Sequence, residues 1–206
     1  MQQDFRDKIL QVFPTIIYRD NIPTIKKPKS IEKLTFKNGF TTIDKVLDLP
    51  EFKEIKTELE KHLKIYVYDI LDISKHIEFY ITRSWLFKRL KVEGAGETHN
   101  HRNSFFTGTL YLELDEGKDY IGFRRSTEYS YVNYDYEKSN IYNQQQVNYF
   151  PKKNDLIIFD AKMYHQVGPH VTNNERLALP FEVFGKGYFG KAQTLEAYNH
   201  GELYLK

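Results

Sequence analysis

His99-Asn100-His101 stands just ahead of a run, Phe105 to Leu114, that is rich in aromatic, Thr and Leu residues. On extended backbone, residues i and i+2 project from the same face, so both imidazoles can converge on one point. Neutral imidazole is the commonest metal-binding side chain and suits iron, zinc, copper or nickel. His165 lies far downstream, after the apolar stretch Asp155-Leu156-Ile157-Ile158-Phe159 and a short turn. Where strands distant in sequence lie side by side, His165 supplies a third ligand from the opposite edge of one mouth. Eleven residues later Arg176 opens the run Leu-Ala-Leu-Pro-Phe-Glu-Val-Phe. A guanidinium there points to solvent, pairing with Glu182 or Glu113, or it points inward. Inward, its charge must be met by an anion, and a carboxylate meets it bidentately. Two close histidines, one late histidine and an inward arginine describe a metal centre that takes a carboxylate-bearing ligand. The plainer reading leaves His101 at the surface, Tyr111 as core and Arg176 in a surface ion pair.

The remaining histidines carry no such pattern. His62 and His76 lie in a helical region and His200 in the C-terminal tail, all three at expected surface positions. His170 follows Pro169 in a hairpin, where exposure is expected.

Short strands must position these groups. A short amphipathic helix opens residues 4–20, and Phe13-Pro14-Thr15-Ile16-Ile17-Tyr18 reads as a strand. Phe52, Ile55, Leu59 and Leu63 recur at helical spacing and predict a helix over 51–65, with a possible continuation through 73. From Glu78 the pattern changes to strands over 78–82, 84–87, 105–114, 155–159, 163–167 and 176–184, punctuated by Gly, Pro and Asn, as in a sandwich or jelly roll. Residues 118–150 hold seven Tyr among polar and charged residues. They read as a long excursion with one or two ladder strands, or as a substrate-facing flap.

Composition narrows the classes. The chain has 206 residues and no Cys, which excludes a disulfide framework, a thiolate nucleophile and a thiolate-held cluster. Sixteen Tyr and 15 Phe supply much of the core. A net charge of +2 gives no argument for nucleic acid or an anionic membrane. No run approaches the ~18 apolar residues of a membrane span, and the N-terminus does not read as a secretory signal. The expectation is a soluble cytoplasmic protein, in the host cytoplasm if phage-encoded, as the Lys/Asn/Ile-rich composition suggests.

At these same residues the sequence resembles a known family. His99-Asn100-His101-Arg102-Asn103-Ser104-Phe105-Phe106-Thr107-Gly108-Thr109-Leu110-Tyr111-Leu112 is similar to the His-x-His/Asp…Ser-Gly-x-x-Tyr-Leu motif of 2-oxoglutarate/Fe(II)-dependent oxygenases, closest to their bacterial and phage branch. Asp155 to Phe159, His165-Gln166-Val167 and Arg176 resemble that family's second half, and Phe13-Pro14-Thr15 its opening. The similarity covers residues 79–184. It implies Fe(II) held by His99, His101 and His165. It also implies 2-oxoglutarate bound through its far carboxylate by Arg176, with the Tyr111 hydroxyl as a second contact. The co-substrate then yields succinate and CO₂ as O₂ oxidises a substrate. The wider superfamily places a carboxylate where His101 stands; imidazole there raises the charge of the site by one and should raise the iron potential. Glu97 or Asp160 are the other carboxylates that could join, ranked below His101.

The expected fold is mainly β, α+β overall: a double-stranded β-helix (jelly roll, cupin-like) with N-terminal helices packed on it. One domain is expected, with support over 1–77, the core over 78–190 including a flap over 118–150, and a tail over 191–206. The expected activity is that of an oxygenase, most simply a hydroxylase, acting on a small-molecule or peptidyl substrate with O₂. Two competing readings make different structural demands. A three-His cupin-like dioxygenase without 2-oxoglutarate would leave Arg176 facing solvent. A non-enzymatic jelly-roll binding or virion module would have no shared cavity behind His99 and His165.

Overall fold

In the run Asp155–Asp160 four consecutive apolar side chains are buried, so this strand must be covered on both faces. That demand organises the molecule. The structure is a computed structural model and describes residues 8–125, 135–189 and 203–206. The strands are β1 (Ile17–Asn21), β2 (Phe36–Lys37), β3 (Phe40–Thr41), β4 (Ile77–Ser84), β5 (Phe87–Arg89), β6 (Phe106–Glu113), β7 (Ile121–Arg124), β8 (Gln146–Tyr149), β9 (Asp155–Asp160), β10 (Tyr164–Val167), β11 (Arg176–Phe189) and β12 (Leu203–Leu205). A nine-stranded sheet runs β1-β9-β6-β11-β5-β3-β2, with β4 and β12 also pairing β11. A three-stranded sheet runs β10-β7-β8. Among the described residues every strand pairing is antiparallel. These two facing sheets form the expected double-stranded β-helix.

Period-two alternation assigns each side chain to one of two cores. On the outer face of the large sheet, Leu110 and Leu112 of β6, Leu156 and Ile158 of β9, and Leu177, Leu179, Phe181 and Val183 of β11 pack with helix α1 (Lys53–Lys64). On the inner face, Tyr111, Ile157, Phe159 and Ala178 meet Ile121 and Phe123 of the small sheet. Gly108 is required where β6 passes under β11, because a Cβ there would lie 2.3 Å from Phe181 Cζ and 2.7 Å from the Ile157 carbonyl.

The strands of the second half fall where alternation puts them, and the long excursion contains β7 and β8. Tyr129, Tyr131 and Tyr134 of that excursion lie outside the described residues, as do His200 and most of the expected tail. Helix α1 buries Ile55, Leu59 and Leu63 as the spacing predicts, and continues as a π-helical turn over Ile65–Ile70 that buries Tyr66 and Val67. The plural of expected N-terminal helices is corrected: among the described residues the other helical pieces there are short 3₁₀ turns, and they bury Ile31, Val46, Leu47 and Phe52 without needing a helical face. The opening strand begins at Ile17 rather than Phe13, because Phe13 adopts φ +53° just before Pro14, which is incompatible with extended pairing. Of the opening amphipathic helix, residues 1–7 lie outside the described residues, and 9–16 form no helix.

His62 is not at the surface. Its apolar neighbours Leu59 and Leu63 draw this face of α1 onto the sheet, and its Nδ1 lies 2.6 Å from the Tyr18 hydroxyl. Burial lowers its pKa, while the same burial, reinforced by Asp20, pushes the Tyr18 hydroxyl up to about 12. Among the described residues no helix is long and apolar enough to cross a membrane.

Candidate metal centre and anion pocket

His165 sits in β10, where its neighbour Tyr164 faces out and it faces in. Across from it, His99 forms an isolated antiparallel bridge: each histidine donates its backbone N–H to the other's carbonyl at 2.9 Å. His101, two residues on, donates its N–H to the Ala161 carbonyl at 2.9 Å. The backbone therefore delivers two residues of one strap and one of β10 to the same spot. Ring centroids are 4.5 Å apart for His99 and His165, 5.3 Å for His99 and His101, and 5.2 Å for His101 and His165. One ligand nitrogen from each lies within 4.8 Å of the others, and the burial is graded from exposed His99 through half-buried His101 to buried His165.

The tautomers are set by hydrogen bonds on the far side of each ring. His99 Nδ1 donates to the Glu97 carbonyl at 2.9 Å, and His165 Nδ1 to the Met163 carbonyl at 2.9 Å. A carbonyl only accepts, so both Nδ1 atoms carry the proton. His101 Nδ1 lies 2.9 Å from Glu182 Oε1. With Nδ1 engaged on the far side, each ring turns Nε2 toward the other two, and the neutral form of each ring carries its lone pair there, the arrangement that a second partner imposes on metal-binding imidazoles. Burial drives the pKa of His165 down to about 4, despite its bond to Met163, with His99 and His101 adding to the effect. Burial opposes ionisation of Glu182, but the His101 hydrogen bond and Arg83 outweigh it and hold its pKa below the usual carboxylate range.

Both alternative carboxylates stay out of the cluster. Glu97 lines the cavity but engages His99 through its backbone oxygen, and Asp160 is exposed and accepts from the Lys162 N–H. The donor set, three imidazoles with Nδ1 engaged elsewhere and one ligand nitrogen each within 4.8 Å of the others, fits a divalent first-row metal ion such as Fe(II).

Behind the histidines lies a cavity of about 400 Å³ whose wall includes Trp85, Arg89, Thr109, Tyr111 and Arg176. Arg176 points inward and is 1% exposed. Its Nη1 donates to Asp119 Oδ1 at 3.3 Å and to the Gly168 carbonyl at 3.2 Å, and its Nη2 to the Tyr120 carbonyl at 3.1 Å. Its Nε is buried and makes no hydrogen bond. The surface pairing of Arg176 with Glu182 or Glu113 is thus corrected, since alternation and the β5 register turn the guanidinium into the molecule, opposite Arg89. Tyr111 stands opposite Ala178 in the β6–β11 register, belongs to the inner core and also lines the cavity. Burial pushes its hydroxyl pKa upward, so it remains a neutral donor.

Several functional neighbours were not apparent in the sequence. Asp119 is fully buried and accepts from Arg176, from His170 Nδ1 at 3.0 Å and from the Asp115 N–H at 2.9 Å. The expected exposure of His170 is corrected: it is 0% exposed, with Nε2 2.8 Å from the Asn174 carbonyl, because the Glu93–His170 bridge folds its hairpin inward. Arg89 Nη1 donates to the carbonyls of Gly94 and Gly168. In the sequence Glu182 reads only as a surface partner of Arg176. Counting in twos from Arg176 through Ala178 and Pro180 reaches Glu182 on the cavity side, so that signal was present.

Residues 83–182 match the family described as "Putative 2OG-Fe(II) oxygenase". No curated protein matches the sequence. Among solved structures, HygX from Streptomyces hygroscopicus, determined with nickel, 2-oxoglutarate and hygromycin B bound, shares 11% identity over 82% of each chain with a TM-score of 0.53. SnoN, a non-heme alpha ketoglutarate dependent epimerase from nogalamycin biosynthesis, shares 9% identity over 84% of this chain and 76% of that one, with a TM-score of 0.51. An oxidoreductase of the 2OG-Fe(II) oxygenase family from Burkholderia pseudomallei shares 14% identity with a TM-score of 0.48; the match covers 81% of this chain but only 65% of that one. At these identities the likeness to HygX and SnoN is one of fold.

Proposed function

We propose that this chain acts as a 2-oxoglutarate/Fe(II)-dependent oxygenase, the family its residues 83–182 match, with His99, His101 and His165 holding ferrous iron while Arg176 and Tyr111 bind the far carboxylate of 2-oxoglutarate. The observation that carries this reading is the pairing, in one cavity, of three converging imidazoles anchored through Nδ1 and a buried guanidinium with donors to spare. Held there, ferrous iron would supply the oxidising chemistry, with O₂ as oxidant and 2-oxoglutarate converted to succinate and CO₂. The chain's own groups bind and orient. Arg176 and the Tyr111 hydroxyl fix one end of the dicarboxylate, the apolar wall of Ile121, Val167 and Ala178 excludes water, and the carbonyl-anchored rings hold their tautomers.

The substrate enters on the side of His99, the most exposed of the three histidines, past half-exposed Phe40 and Trp85. Hydroxylation of a small-molecule or peptidyl C–H bond is the simplest outcome. The cytoplasm supplies both reduced iron and 2-oxoglutarate and is the proposed compartment. Burial of Arg176 weighs against a 2-oxoglutarate-independent dioxygenase, and the shared cavity weighs against a purely structural module.

The test is succinate formation from 2-oxoglutarate by anaerobically prepared protein given Fe(II) and then O₂, without added substrate. Slow uncoupled turnover is expected, and His165→Ala should abolish it. A wild-type protein that binds no divalent metal and forms no succinate overturns the assignment.

A further inference from the structure

Three imidazoles bring no charge to an ion, whereas the two-His-one-carboxylate set of non-heme iron oxygenases brings one negative charge. Neither Glu97 nor Asp160 makes up the difference by joining the cluster. The carboxylate that does touch it is Glu182. Its Oε1 lies 2.9 Å from His101 Nδ1, on the opposite side of the ring from the free Nε2. The residue is 8% exposed and sits in the inner-facing row Arg176, Ala178, Pro180, Glu182. A β-bulge in the β4–β11 register falls between Glu182 and Val183.

A buried carboxylate needs partners. Beyond His101, the partner of Glu182 Oε2 among the described residues is Arg83 Nη1 at 3.5 Å, from a side chain that is half exposed. A pair of that kind is weak, so the imidazole is the principal partner. The other two rings rest on neutral carbonyls, which makes His101 the one ligand polarised by an anion.

We infer that Glu182 is a positioning residue of the metal centre: one hydrogen bond removed from the ion, it supplies the negative charge the ligand set lacks and fixes His101 with Nε2 toward the metal. This rests on the proposed ferrous site. Replacing the usual carboxylate ligand by His101 moves the anion outward along the imidazole rather than deleting it. The ferric state then retains part of its usual stabilisation, and the metal sees two donors of ordinary strength and one stronger donor.

The test is anaerobic titration of Mn(II) and Co(II) into metal-free wild type, Glu182→Gln and Arg83→Gln, with melting temperatures recorded in chelator. Gln keeps the shape and an acceptor oxygen but loses the charge. Glu182→Gln should bind both ions about 10- to 100-fold more weakly, the range for losing an outer partner of a ligand, and its iron-loaded form should show a higher Fe(III)/Fe(II) potential. Arg83→Gln frees Glu182 from its competing cation and should tighten binding about two- to fivefold. If Glu182 merely ties β11 to β4 through Arg83, both variants lower the melting temperature alike and leave metal affinity unchanged, and the inference is overturned. Should Glu182→Gln fail to fold, the sign of the Arg83→Gln effect decides. Wild-type protein that takes up neither ion sinks the ferrous site itself, a different result from a wild type that binds and a Glu182→Gln that binds equally.

Discussion

Arg176→Gln separates anion binding from structural support. The guanidinium has five N–H groups, and its three hydrogen bonds to Asp119, Gly168 and Tyr120 leave at least two of them, including the buried Nε, without a protein acceptor. A carboxylate that takes those groups loses its charge-paired fork in the variant, a loss of ~2–5 kcal/mol. Two features hold the effect to the lower end. Arg89 lines the same cavity and stands opposite Arg176 in the strand register. Asp119 keeps His170 and the Asp115 N–H as donors, so it is not stranded. At ~2–3 kcal/mol and ~1.4 kcal/mol per decade, the half-saturating 2-oxoglutarate concentration should rise about 30- to 150-fold, with kcat at saturation falling much less, as for binding energy expressed equally in ground and transition states. Tyr111→Phe, which deletes one neutral hydroxyl, should raise it about 2- to 12-fold. The assay is initial-rate succinate formation against 2-oxoglutarate, alongside Mn(II) affinity. A shift below threefold in Arg176→Gln with Mn(II) binding intact would refute the assignment of this guanidinium to the co-substrate.

Metal-free stability should depend on pH through His165. Its pKa is depressed from the ordinary 6.5 to about 4 in the folded chain, so between these values the unfolded state binds more protons and stability falls as pH is lowered through that window, by on the order of 3 kcal/mol. His62, also lowered by burial, acts in the same direction. Urea midpoints in chelator from pH 7.5 to 4 should therefore drop less steeply for His165→Asn than for wild type; parallel curves would contradict this account. Gly108→Ala drives a methyl against Phe181 and the Ile157 carbonyl and should cost at least ~1–3 kcal/mol of stability in chemical denaturation. A midpoint equal to that of wild type would mean that β6 and β11 separate there at little expense.

Alternation made the second half legible. The runs 105–114, 155–159 and 176–184 name their own buried faces, and β6, β9 and β11 follow. The His99/His101 pair and late His165 were readable because a period of two and a late strand bring them together whichever loop intervenes. What escaped depends on partners far away in the chain. Asp119 reads as a turn aspartate until Arg176, 57 residues on, and His170 close over it. His170 itself follows Gly168-Pro169, ordinary loop chemistry, and only the bridge to Glu93 buries it. His62 reads as a polar residue on an amphipathic helix, yet Tyr18 from β1 accepts it into the core boundary. In the N-terminal third, apolar residues such as Val46 and Phe52 are buried by turns too short to leave a periodic signature.

One strand, β11, serves two masters by parity. Odd-numbered Leu177, Leu179, Phe181 and Val183 fill the outer core, while even-numbered Arg176, Ala178, Pro180 and Glu182 face the cavity side. A one-residue insertion or deletion near its start would push guanidinium and carboxylate into hydrocarbon and leucines toward the cavity behind the histidines. Variation in what this cavity accepts must therefore come by replacement at alternate positions or from the surrounding loops, never by a change in the length of this strand.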